Sequence, residues 1–356
     1  MIVAQDPTAL RHHLEPLRAH AERIAFVPTM GNLHAGHLAL VTQALGTGAK
    51  VVVSIFVNPM QFAAGEDLDS YPRTLDADLS ALEKIGADVV FTPRESDIYP
   101  HGSKTHTAIH VPGLGDGLCG KNRPGHFDGV CTVVYKLFEL VRPDIAIFGE
   151  KDLQQLLIIK KMVVDLGLPI DIQSGTTQRA EDGLALSSRN QYLSDEERAT
   201  APLLWQTLCD CASKLKADCS ADAAPVLTPA TTALEQAGFD VDYLELRALA
   251  DLRLLDRITE DCALFVAARL GKTRLIDNIQ IAATQTSRGT AGTRISSTNR
   301  CTDSGGDAVK RVTVSVTAKF TAAPTTPNAL GSIPRNQLGG RSPRKLVPGI
   351  NIKPLC

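Results

Sequence analysis

The chain has 356 residues, enough for two domains, and its 44% hydrophobic content allows a substantial core. A formal charge of -2 excludes wholesale polyanion binding as the role of the whole chain. That average hides a division, because residues 284–356 hold 11 Lys+Arg and 2 Asp+Glu whereas those before them hold 26 and 37.

No apolar run approaches the roughly 20 residues that cross a bilayer. The opening MIVAQDPTALRHHLEP carries acids and histidines where a signal peptide needs an apolar stretch, so the expected compartment is the cytosol. The cysteines are Cys119, Cys131, Cys209, Cys211, Cys219, Cys262, Cys301 and Cys356, with no C-x-x-C pair. They read as reduced packing thiols, not as a zinc or thioredoxin-like site.

Short β-branched runs recur at Ile24–Val27, Val51–Val57, Asp88–Phe91, Ile145–Phe148 and Ile170–Ile172, each a candidate buried strand. Helical spacing lies between them at His37–Leu45, Leu75–Ile85, Val130–Leu140 and Leu153–Leu166. This alternation predicts an α/β fold, a Rossmann-like doubly wound parallel sheet over residues 1–175. Ligands of such sheets bind beyond the carboxyl ends of the strands, which directs attention to the loops after Val27, Val57 and Phe148.

A capping box at Ser194 and Glu197 opens a predicted helix running to about Leu215. A helix near Ala230–Gln236 and strands at Val241–Leu246, Ala263–Ala268 and Arg274–Ile279 complete a smaller α+β domain over 176–283. Residues 284–356 turn to Ser, Thr, Gly, Pro and Arg, with one alternating stretch at Val312–Val316. Such a segment buries too little apolar surface to offset chain entropy, and disorder is expected.

The strongest chemical signal is Pro28-Thr29-Met30-Gly31-Asn32-Leu33-His34-Ala35-Gly36-His37, between a strand and a helix. His34 and His37 share one face of a helix start, where free N–H groups and the dipole attract phosphate. Gly36 removes a side chain where a phosphate must approach. Two imidazoles so placed can donate to phosphate oxygens during attack at an α-phosphorus, the geometry of a nucleotide-transfer site. The bland alternative is a pair of helix-capping histidines.

After the second strand, Asn58 and Gln61 offer uncharged amides to a substrate whose carboxylate must stay nucleophilic. As a bland alternative, such residues simply form turns. The loop after the fourth strand places Gly149, Glu150, Lys151 and Asp152 before a helix opened by Gln154 and Gln155. Lys151 suits growing negative charge, and Asp152 suits ribose hydroxyls. Leu186, Ser187, Ser188 and Arg189, in a loop led by Gly183, can grip terminal phosphates. Gly120–Phe127 reads as a basic active-site wall.

These motifs, with Tyr71-Pro72-Arg73-Thr74 and Arg123–Gly129, resemble those of the pantoate–β-alanine ligase (pantothenate synthetase) family over Met1 to about Ile279. The resemblance implies an ATP-dependent condensation of pantoate with β-alanine through a pantoyl adenylate, releasing AMP and pyrophosphate, in a homodimer whose smaller α+β C-terminal domain acts as a lid. Met30–His37, Gly149–Asp152, Gln178 and Leu186–Arg189 would then hold ATP, with His37 as proton donor and Lys151 stabilising the transition state. Gln61 and Gln155 would bind pantoate, with Asn58 beside them, and Gln61 would also serve β-alanine. Mg2+ would travel with the triphosphate.

The chain departs from the family at Gln173-Ser174-Gly175-Thr176-Thr177-Gln178, where members commonly read Val-Gly-x-Pro. It also continues past residue 283, where the family normally stops. Two other readings compete with the ligase. One is a different H-x-G-H nucleotidyltransferase, whose phosphate-bearing substrate would need more cations than the neutral Asn58–Gln61 pocket supplies. The other is an idle chain whose basic tail binds nucleic acid non-specifically, although Phe320 is its one aromatic residue.

Overall fold

The computed structural model describes residues 1–63 and 65–283. The expected disorder of the tail, its Val312–Val316 stretch, Phe320, Cys301 and Cys356 lie outside the described residues.

In chain order the elements are β1 (Ile2–Ala4), α1 (Pro7–Ala19), β2 (Ile24–Thr29), α2 (Ala35–Gly46), β3 (Lys50–Ile55), α3 (Leu75–Ile85), β4 (Val89–Phe91), α4 (Glu95–Ile98), α5 (Cys119–Asn122) and α6 (His126–Val141). They continue with β5 (Ile145–Gly149), α7 (Leu153–Asp165), β6 (Asp171–Gly175), α8 (Asp195–Thr200), α9 (Leu203–Ala217), α10 (Ala224–Gln236), β7 (Phe239–Ala248), β8 (Cys262–Leu270) and β9 (Thr273–Ile281). The first six strands form one parallel sheet ordered β1-β4-β3-β2-β5-β6.

The order reverses between β2 and β5, which pair through Ala25–Ile145 and Phe26–Ala146. That reversal opens a crevice beyond the carboxyl ends of these two strands, and the Met30–His37 loop and the Glu150–Asp152 turn emerge there. Strand alternation divides the core. Phe26, Phe91, Phe138 and Phe148 pack on one face, and Ala25, Val27, Val41, Val51 and Ile147 on the other. Phe26 and Phe91 are fully buried, each stabilising the fold by about 1.5–3 kcal/mol.

Strands β7, β8 and β9 form a separate antiparallel sheet. One face packs on α9 and α10, with Leu208, Leu246 and Leu264 in the same cluster. The other contributes Ala263 and Phe265 to the cluster under the parallel sheet, which explains why β8 is buried on both sides.

Three sequence expectations shift. Nothing is assigned before Ile24, yet β1 pairs with β4 at the sheet edge, and α1 forms from an Asp6 cap whose carboxylate accepts from the N–H groups of Thr8 and Ala9. The helix expected from Ser194 to Leu215 is two helices, α8 and α9, because Pro202 lacks the N–H that would continue the ladder. The strand expected to begin at Ile170 begins at Asp171 and runs on to Gly175. The Ser194–Glu197 capping box is present as expected.

Candidate active site

The loop between β2 and α2 is held by buried polar groups. The Thr29 hydroxyl donates to the carbonyl of Ser54 at 2.7 Å and accepts from the Gly31 N–H at 3.2 Å. Gly31 and Asn32 both have left-handed backbone, with φ of 80° and 50°. A Cβ on Gly31 would also lie 3.0 Å from Ile55 and 3.1 Å from Asp78, so glycine is required there. Asp78, on the first turn of α3, is 3% exposed and accepts from the N–H groups of Asn32 at 2.9 Å and Leu33 at 2.8 Å, and from the Thr74 hydroxyl at 3.2 Å. Sequence reasoning missed Asp78.

His34 caps α2 by accepting the Gly36 N–H at Nδ1, 3.1 Å away, and His37 Nδ1 accepts the His34 N–H at 3.3 Å. The capping reading and the chemical reading therefore hold together. An Nδ1 that accepts leaves the proton of a neutral ring on Nε2. Both rings are held neutral. Burial, followed by the Lys151 charge, lowers His34 to about 4. Burial, followed by His34, lowers His37 to about 3. The ring centroids stand 4.1 Å apart. Gly36 proves necessary for a reason internal to the loop, since a Cβ would lie 2.8 Å from the His34 ring.

At the end of β3, Asn58 is 1% exposed and its amide is fully engaged. Its Nδ2 donates to Gln61 Oε1 at 3.1 Å and to the Gly129 carbonyl at 3.0 Å. Its Oδ1 accepts from the Tyr99 hydroxyl at 2.7 Å and the Met60 N–H at 3.3 Å. Asn58 thus supports Gln61 with an amide fully engaged within the protein, and it also borders the cavity. Gly129 lets α6 come this close, because a Cβ there would lie 2.3 Å from the Met60 carbonyl oxygen.

Beyond β5, Lys151 sits on a single 3₁₀ turn over Glu150–Asp152, its side chain 20% exposed and its Nζ 3.8 Å from Asp152. The two glutamines that follow have separate roles. Gln154 is buried, bonding the carbonyls of Leu114 and Gly117 and the N–H of Cys119, whereas Gln155 borders the cavity.

The fourth motif closes over the first. Leu186 N–H donates to the Gln178 carbonyl at 2.9 Å, and the Ser188 hydroxyl donates to the Asn32 carbonyl at 3.1 Å. Ser187 caps the turn that carries Arg189. Arg189 makes a two-pronged ion pair with Asp67, at 2.9 and 3.1 Å. Arg123 does the same with Glu66, at 2.6 Å for both contacts, while also donating to the Gln61 carbonyl at 3.2 Å. Sequence reasoning missed Glu66 and Asp67, whose partners lie 57 and 122 residues away. His126, held neutral by burial and then by Arg123 at about 4, donates from Nδ1 to the same Gln61 carbonyl at 2.8 Å.

One cavity of about 240 Å³ is lined by Met30, His34, Gly36, His37, Gln61, Gly149, Lys151, Asp152, Gln155 and Leu186–Arg189. It adjoins a second of about 720 Å³ bordered by Lys151, Gln155, Arg189 and β9. Gly31, Asn32, Leu33, Ala35 and Glu150 are not among its lining residues, and Gln178 is exposed, its amide donating to the Thr176 carbonyl at 3.3 Å. In the divergent stretch, Gly175 is fixed by packing, since a Cβ there would lie 2.1 Å from Leu40 of α2.

The family model described as Pantoate-beta-alanine ligase matches residues 2–280. The chain is 55% identical over 282 residues to the pantothenate synthetase of Chromohalobacter salexigens, covering 79% of this chain and 99% of that one. It is 52% identical over 272 residues to that of Pseudomonas aeruginosa, covering 76% and 96%. Among solved structures, pantothenate synthetase from Thermus thermophilus matches with a TM-score of 0.73 at 43% identity, covering 79% and 99%. The Francisella tularensis pantoate-beta-alanine ligase, complexed with beta-gamma ATP and beta-alanine, matches with a TM-score of 0.67 at 35% identity, covering 79% and 97%.

Proposed function

The chain belongs to the pantoate-beta-alanine ligase family, and we infer from this and from the converging site that it condenses pantoate with β-alanine, driven by cleavage of ATP to AMP and pyrophosphate. The observation that carries the reading is the meeting of His34, His37, Lys151 and Arg189 around one crevice at the carboxyl ends of β2 and β5.

In the first step a pantoate carboxylate oxygen attacks the α-phosphorus. An O–P bond forms, the α–β anhydride breaks, and its electron pair leaves on pyrophosphate. The protein's part is to stabilise charge on the equatorial and leaving oxygens. The Nε2–H groups of His34 and His37 donate to phosphate oxygens, and the Lys151 ammonium meets the growing charge on the α-phosphate. Arg189, exchanging Asp67 for phosphate, and the Ser187 and Ser188 hydroxyls hold the terminal phosphates. Gln61 and Gln155 orient pantoate without a cation that would restrain its carboxylate. In the second step the β-alanine amine attacks the acyl carbon, the C–N bond forms, AMP departs with the electrons of the C–O bond, and the nitrogen's surplus proton is released to water.

Mg2+ enters with the triphosphate as part of the substrate. Among the described residues no group of three or more His, Cys, Asp or Glu side chains is arranged to hold a metal ion. By its family resemblance the chain is proposed to act as a homodimer in the cytosol. Residues 1–175 form the nucleotide and pantoate domain and 176–283 the lid.

The competing nucleotidyltransferase reading is disfavoured by the match of residues 2–280 to the pantoate-beta-alanine ligase model and by the uncharged amides of Gln61 and Gln155 in the cavity. The deciding experiment is ATP/pyrophosphate exchange with pantoate alone, then AMP release on adding β-alanine. Exchange without amine marks an acyl adenylate; absence of exchange until amine is present would remove the two-step reading.

A further inference from the structure

The cation expected at the α-phosphate, Lys151, lies on a turn whose backbone is held from outside the parallel sheet. Asn278 of β9 is 7% exposed, and its Nδ2 donates to the carbonyl of Glu150 at 2.9 Å and to that of Lys151 at 3.0 Å. These two carbonyls flank the Lys151 Cα, so fixing both fixes the direction in which the lysine stem leaves the backbone. The preceding residue, Asp277, holds Arg179 through contacts of 2.6 and 2.9 Å, and Arg179 begins the segment leading to Leu186–Arg189. Successive strand residues face opposite ways, so one step of β9 reaches the lysine turn and the other reaches the base of the arginine loop.

We propose that Asn278 is a positioning residue for Lys151, through which the antiparallel sheet sets the aim of the lysine at the α-phosphate. The proposal rests on the ligase reading above. No other side chain among the described residues bonds these two carbonyls. A lysine stem with rotatable bonds cannot aim itself, and displacement of about 1 Å is enough to slow a reaction about a hundredfold. The C-terminal sheet thereby acts on the chemistry while leaving substrate contact to other residues.

The test is a double-mutant cycle on Asn278→Asp and Lys151→Ala, read by pyrophosphate exchange with pantoate in the full chain. Asn278→Asp keeps the side chain's size and replaces both donors with acceptors facing carbonyls. The expected result is a fall in the exchange rate by about tenfold or more, with apparent KM for ATP and pantoate within about twofold of wild type. In the Lys151→Ala background the same change should cost little more, because its target is gone.

Unchanged exchange in Asn278→Asp, a rise in KM at constant kcat, or multiplicative losses in the double mutant would each overturn the proposal. Should Asn278→Asp not fold, the same cycle on Asn278→Ser, smaller and uncharged, decides with the same outcomes. Absent exchange in the wild-type chain would instead count against the ligase reading, so the two failures are distinct.

Discussion

His37 accepts the backbone N–H of His34 at Nδ1, 3.3 Å away, and the same two rings stand 4.1 Å apart. The helix cap and the donor pair are therefore a single arrangement. Each Nδ1 completes the α2 N-terminus, and each Nε2–H is left to point elsewhere. Protonating either Nδ1 would remove a cap and add a positive charge near that of Lys151.

The first prediction concerns pH. Both imidazoles should remain neutral through pH 6.5 in an NMR titration, with His34 titrating near 4 and His37 near 3. Their native pKa values lie below the value of about 6.5 expected in an unfolded chain. As pH falls below that value the unfolded chain takes up protons that the native site refuses. Their contribution to stability is thus complete above about 6.5 and declines as pH falls toward 4 and 3. A midpoint near 6.5 for either ring in the native protein would contradict the neutral state assigned to the pair.

Removal of a charge-stabilising group should show in the adenylation step. His37→Ala and Lys151→Ala are each expected to slow pyrophosphate exchange by at least about a hundredfold. Stopped reactions should show no adenylate accumulating ahead of the amine. Near-normal exchange in both variants would mean that the reacting phosphorus lies elsewhere.

Gly36→Ala separates fold from chemistry. Alanine gains up to about 1 kcal/mol within a helix, and loss of the His34 cap costs about as much, so thermal stability should stay close to that of the wild type. Its Cβ, however, meets the His34 ring at 2.8 Å and must displace it. Exchange should therefore fall by about tenfold or more, short of the loss expected when a donor is deleted outright. A variant that is both stable and fully active would show that the position of His34 is immaterial.

The parts of this molecule legible in the sequence are those specified locally. A β-branched run, a glycine-bearing loop and a helix start lie within a few residues at Ile24–Leu45, and their order announces both the sheet and the crevice. The edge strand β1 has three residues, too few for a period, and α1 contains Pro16, which masks its helical spacing. The supports of the site are harder still. Asp78 reaches Leu33 across 45 residues, and Asn278 reaches Lys151 across 127. An aspartate in a first helical turn reads as a partner of the helix dipole, and an asparagine in a strand reads as a polar position; only the tertiary fold shows what each one holds. Asn58 shows the same limit, since its spacing placed it correctly beside Gln61 while its role as support emerged from four hydrogen bonds.

The last prediction separates the basic tail from the enzyme. Strand β9 ends at Ile281, the Ala283 N–H donates to Asp261 at 2.9 Å, and the family match stops at residue 280. No group placed in the reaction lies beyond Asn278. Cutting the chain after Ala283 should therefore leave exchange and ligation within about twofold of the full chain, since nothing that stabilises the transition state is removed. The 11 cations of residues 284–356 would be lost with the cut. If they bind nucleic acid, retardation in a gel should be present in the full chain, weaken steeply with salt, and vanish on truncation without a change in catalysis. Loss of activity on truncation would instead make the tail part of the working enzyme, and the site described above would be incomplete without it.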